Sequence, residues 1–69
     1  MRIKYFEDTD TTLVELSSNP PVETRELNEN IYLDLDGHGN VVSITIEHAS
    51  ASSDMREFLY QRIPAAMSS

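Results

Sequence analysis

The sequence predicts an α+β fold, an antiparallel β-meander of about five strands followed by one C-terminal helix packed on the sheet. Three observations carry this prediction. Apolar residues alternate with a period of two through most of the chain, short turn-forming segments separate the alternating runs, and after Ala51 the period changes to that of a helix.

The first strand is expected over residues 2–6, where Ile3 and Tyr5 share a face. The second, over 12–17, places Thr12, Val14 and Leu16 together, and the third, over 22–27, is apolar only at its ends. Residues 31–36 follow with Ile31, Leu33 and Leu35 on one side. The clearest alternation lies in 41–47, where Val42, Ile44 and Ile46 interleave with Val41, Ser43, Thr45 and Glu47. Turn chemistry falls between the runs: Glu7-Asp8-Thr9-Asp10, Ser18-Asn19-Pro20-Pro21, Asn28-Glu29-Asn30 and Gly37-His38-Gly39-Asn40. Links this short favour antiparallel neighbours, because a parallel crossover needs a dozen or more residues, so up-and-down order is expected.

A helix is expected over 54–63, since Met55, Phe58, Leu59 and Ile63 fall on one stripe at helical spacing. Asp54 and Glu57 have the spacing of a capping box, and Pro64 disfavours helical geometry at the residue before it. The tail 65–69, rich in alanine and serine, is expected to be flexible.

A chain of 69 residues accommodates a single domain with a thin stability margin, and with no cysteine it has no disulfide to widen it. The absence of thiols removes thiol catalysis and cysteine zinc sites and suits a reducing compartment. Twelve acidic against five basic residues give a net charge of −7, which opposes binding to a polyphosphate backbone. The basic residues Arg2, Lys4, Arg25, Arg56 and Arg62 are scattered and make no stripe, so nucleic acid is not an expected partner. Apolar runs are too short to cross a membrane and the N-terminus lacks the apolar core of a signal peptide, so the expected location is cytoplasmic.

Width then bears on assembly. A helix is ~10–12 Å across, whereas five strands at ~4.8 Å spacing span ~20 Å. One helix leaves part of the face built from Ile3, Tyr5, Val14, Leu16, Ile31, Leu33, Leu35, Val42, Ile44 and Ile46 uncovered, and burial in a symmetric homodimer is the simplest remedy. Interface candidates are Leu13 and Tyr32 on the opposite face and Phe58, Leu59 and Ile63 on the helix. The acid excess also suits a basic protein partner.

Taken together, Met1-Arg2-Ile3-Lys4-Tyr5, Asp10, Leu13-Val14-Glu15-Leu16-Ser17 and Val22-Glu23-Thr24-Arg25-Glu26-Leu27 resemble the small bacterial proteins of domain-of-unknown-function family 2283. The likeness continues through Ile31-Tyr32-Leu33-Asp34-Leu35-Asp36, the glycine-bearing turn, Val41 to Glu47, and Ala49-Ser50. Phe6 stands where that family usually has Asp, and Thr12 where a larger apolar residue is usual. The resemblance implies the sheet architecture and transfers no active site. Members that look as if they are encoded beside small toxin-like proteins make it imply an antitoxin-like or immunity-like binding role.

One local string invites a chemical reading. Asp34-Leu35-Asp36-Gly37-His38-Gly39-Asn40 begins like a calcium loop, with alternate oxygen ligands before a glycine turn. Its fifth position is His38 and its twelfth is Thr45, where a bidentate Glu belongs. A hairpin turn explains the same residues through the tolerance of Gly and Asn for positive φ. The expectation is therefore a turn, with a divalent-cation site on Asp34, Asp36 and His38 as the alternative. Asp34 and Asp36 are expected on the same side of their strand. His38 and His48 are expected at opposite ends of the sheet, as solvated loop residues. No catalytic residues and no cofactor motif are expected, since the chain has no Gly-x-Ser-x-Gly and no phosphate-cradling loop. A hydrolase formed at a dimer interface is a further alternative to an interaction module.

Overall fold

The computed structural model describes residues 1–65. It contains β1 (Arg2–Phe6), β2 (Thr11–Glu15), β3 (Glu23–Asn28), β4 (Ile31–Leu35), β5 (Val41–Ile46) and a short helix α1 (Ala49–Ser52). The expected α+β class holds: five antiparallel strands make one sheet, with one short helix on its C-terminal side.

Strand order across the sheet is β1-β2-β5-β4-β3. Sequence neighbours pair within β1–β2 and within β3–β4–β5, as expected. The link through Pro20 and Pro21 does not join adjacent strands; it carries the chain to the far edge, and β5 returns to fill the gap beside β2. Charge and apolarity account for this order. The two edges are β1, with Arg2 and Lys4, and β3, with Glu23, Arg25 and Glu26, and charged side chains on an edge discourage pairing with another chain. The β-branched strand β5 gains a neighbour on each side by sitting in the middle, where Val42 and Ser43 are buried.

Registration places residues of one kind side by side. Ile3, Val14, Ile44 and Leu33 form a row across four strands that ends on Arg25 at the β3 edge. Tyr5, Thr12, Ile46 and Ile31 form the next row on the same face. The opposite face carries the rows Lys4, Leu13, Thr45, Tyr32, Glu26 and Arg2, Glu15, Ser43, Asp34, Thr24. Period-two alternation thus separates an apolar face from a polar one across the whole sheet.

The helix expected over 54–63 is not present. The helical turn lies earlier, at Ala49–Ser52, and Ser53 leaves it in an extended conformation, φ −145° and ψ 153°. Residues 58–65 have no regular structure. In place of a capping box, Asp54 Oδ1 accepts from the Arg56 backbone amide (3.0 Å) and from Arg56 Nε (3.1 Å), a turn closed on itself. A helix of ten residues is marginal without a surface to bury its stripe, and here the stripe residues Phe58, Leu59 and Ile63 are all exposed. The expected flexibility of 65–69 falls on residues that, apart from Ala65, lie outside the described ones.

Little is buried. Leu35, Val42 and Ala49 form the apolar core, with Thr12, Asp36 and Ser43 buried beside them, and among the described residues no large side chain is fully enclosed. The molecule is a slab measuring 47 × 34 × 20 Å, with a radius of gyration of 14.6 Å. A compact chain of this length has a radius near ~11 Å. Among the described residues, no helix is long and apolar enough to cross a membrane.

Candidate functional site

The string Asp34 to Asn40 folds as a turn whose carboxylates are engaged by the protein itself. The pairing shifts register between Asp34 and Leu35, and β4 ends at Leu35, so Asp36 leaves the ladder and does not stand two residues along a regular strand from Asp34. Asp34 lies on the polar face, where Oδ1 accepts from the Thr24 hydroxyl and Oδ2 from the Ser43 hydroxyl, both at 2.7 Å. Asp36 is buried in the turn: Oδ1 accepts from the backbone amides of His38 (2.9 Å) and Asn40 (3.0 Å), and Oδ2 from Asn19 Nδ2 (3.1 Å).

These bonds favour the ionised form of each acid. The Thr24 and Ser43 hydroxyls hold Asp34 below the ordinary aspartate value, and the amides of Asn40 and His38 do the same for Asp36. Gly39 supplies the positive φ (82°) the turn needs. His38 is exposed and touches Asp36 only through its backbone amide. Among the described residues, no three acidic, histidine or cysteine side chains gather as a metal-ligating group.

A second cluster escaped the reading of the residues one by one. Asp10, with φ 54° at the end of the β1–β2 turn, reaches across to α1. Its carboxylate accepts from the Tyr5 hydroxyl (2.5 Å), the Ser50 hydroxyl (2.7 Å) and the Ser50 amide (3.1 and 3.3 Å), while its carbonyl accepts from the Ala49 amide (2.9 Å). His48, at the helix N-cap position with φ 54°, makes no capping bond through its side chain, so Asp10 supplies the cap from another part of the chain. His48 Nδ1–H instead donates to Asn30 Oδ1 (3.1 Å). The Tyr5 hydroxyl, followed by the Ser50 hydroxyl, lowers the Asp10 pKa, and the same bond raises that of Tyr5. Nothing in strand alternation or local spacing says that Tyr5, Asp10 and Ser50 meet.

Leu13 and Tyr32 share one row of the polar face, separated by Thr45, and both are half-buried. The nearby Glu47 carboxylate raises the Tyr32 hydroxyl above its ordinary pKa. They sit among Lys4, Glu15, Asp34 and Glu47, so this face carries no broad apolar patch. The apolar face is different. Thr12 Oγ1–H donates to Met55 Sδ (3.6 Å), and a groove of about 520 Å³ between β1 and the chain after Ser53 is lined by Met1, Ile3, Phe58 and Tyr60. The segment therefore lies along the β1–β2 side of the apolar face, yet Ile3, Tyr5 and Leu16 there remain exposed, while Ile31 and Leu33 of β4 are half-buried and Leu35 is buried. Leu59 and Ile63 are each 76% exposed, and Phe58 and Tyr60 66%.

The fold and this geometry define the class: a small one-sheet α+β protein whose helical turn is pinned by a distant carboxylate and whose apolar face is only partly covered by the described residues. The chain belongs to the family described as "Protein of unknown function (DUF2283)", whose model matches residues 2–50. No curated protein and no solved structure matches the chain.

Proposed function

We propose that this protein is a non-enzymatic interaction module that self-associates through the apolar face of its sheet. The observation that carries the reading is the one-layer architecture, in which Ile3, Tyr5 and Leu16 on that face are exposed and no large side chain of the described residues is fully buried. A second layer is what a sheet with one apolar face requires, and a second copy provides it by symmetry. Commitment of Asp34 and Asp36 to the turn and the polar face supports a structural rather than a catalytic or cation-binding role for them. A net charge of −7 further suits a basic protein partner, in an antitoxin-like or immunity-like manner. Cytoplasmic residence belongs to the same reading, on the strength of a cysteine-free chain.

Sedimentation equilibrium across micromolar to millimolar concentrations tests the proposal, with a reversible monomer–dimer transition as the expected result. A monomer throughout that range refutes it. Association should strengthen with added salt, because screening relieves repulsion between two acidic subunits and leaves apolar contacts intact.

A further inference from the structure

The four apolar residues of the 54–63 stripe are spaced for a helix, yet the segment that carries them is irregular in the single chain. Only Met55 is part-buried, against Thr12. The local signals are those of a helix in waiting: an acidic residue at its start, no glycine within it, and Pro64 at its end. What the segment lacks is a partner surface, since nucleating a short helix is unfavourable unless burial of its apolar stripe compensates.

Area indicates what kind of surface is missing. Phe58 and Tyr60 are 66% exposed and Leu59 and Ile63 76%. With large side chains offering on the order of 150–200 Å² each, the stripe residues Phe58, Leu59 and Ile63 present roughly 400 Å² per chain. Adding the exposed Ile3, Tyr5 and Leu16 brings this to ~600 Å² per partner, the lower end of what a stable protein interface buries. The same chain supplies both halves of such an interface, an apolar stripe and an apolar sheet face, as a symmetric pair requires.

We infer that residues 54–63 form an amphipathic helix upon pairing with a second copy of this chain, with Met55, Phe58, Leu59 and Ile63 packed on the apolar sheet face of the partner subunit. The inference rests on the self-association reading and adds to it the element that does the covering. Folding of the segment and assembly are one step, so helix content depends on concentration.

The test follows far-ultraviolet circular dichroism at 222 nm alongside sedimentation on the full chain over the same dilution series. Helical signal is expected to rise in parallel with the dimer fraction. Gln61→Pro serves as the second probe, since an irregular segment accepts proline while a helix interior loses a hydrogen bond and meets the carbonyl four residues back; it should raise the dimer dissociation constant by ~100-fold or more. A dimer that forms without helical gain and tolerates Gln61→Pro overturns this inference and leaves self-association standing. Helical signal that is already complete in the monomer also overturns it. A chain that stays monomeric with no helical gain overturns both.

Discussion

The chain before Ser53 and the chain after it are held in different ways. Up to α1, each turn has polar partners from another part of the sequence: Asp10 with Ser50, Asn30 with His48, and Asp36 with Asn19. After Ser53 the carboxylate contacts close over two residues, Asp54 to Arg56, a single weak bond from Thr12 to Met55 Sδ ties the segment to the sheet, and Phe58, Leu59, Tyr60 and Ile63 face solvent. The family match ends at residue 50, close to where the first regime gives way to the second. Directional bonds with fixed partners define a conformation in a single chain, whereas an apolar stripe specifies only that some surface must cover it.

Substitutions sharpen this contrast. The largest effect is expected at Leu35, buried against the central strands, where Leu35→Ala should cost about 2–4 kcal/mol, comparable to the whole margin of a domain this small. Urea titration of the dilute protein should find it largely unfolded. Next, Asp10→Ala removes the carboxylate that holds both Tyr5 and the first turn of α1, and should lower the melting temperature by several degrees and abolish the residual signal of Ala49–Ser52. Amide exchange at Ser50 reads this locally; unchanged protection there would show that the cap is not what holds the turn.

Acid comes third. Asp10, Asp34 and Asp36 all have pKa values lowered in the folded state, so their contribution is fully present above the ordinary aspartate value near 3.8 and is lost as pH falls below it toward their folded values. Denaturant midpoints should be level from pH 7 to about 5 and decline below about 4. Asp34→Asn, which keeps one acceptor, should flatten that decline. The smallest effect is expected at Leu59: in the dilute monomer Leu59→Ala should shift stability by less than about 0.5 kcal/mol, because the side chain is 76% exposed. At millimolar concentration the same variant should show weakened association, and equal behaviour at both concentrations would erase the distinction between the two regions.

Much of the architecture was legible because a strand writes its faces into the sequence with a period of two. The alternation in Ile3/Tyr5, Thr12/Val14/Leu16, Ile31/Leu33/Leu35 and Val42/Ile44/Ile46, with the turn residues that bracket the weakly patterned third strand, gave five strands within a residue or two of their observed ends. Turn residues separated them correctly, and the Gly37–Asn40 turn was recognisable from Gly39.

What only the tertiary structure decided is of a different kind. Alternation says which face a residue takes and nothing about which strand lies beside it, so the insertion of β5 between β2 and β4 followed from the competition of strands for a central position. Helical spacing in 54–63 described a stripe without a surface, while Ala49–Ser52, too short and too polar to read as a helix, turned helical because Asp10 reached its first turn across the fold. The clasp of Tyr5, Asp10 and Ser50 joins residues 40 positions apart, a separation at which local spacing carries no information. Sequence by itself determined the faces and the turns of this protein, since these depend on neighbours along the chain; strand order, the site of the helix and the clasp on Asp10 depend on neighbours in space.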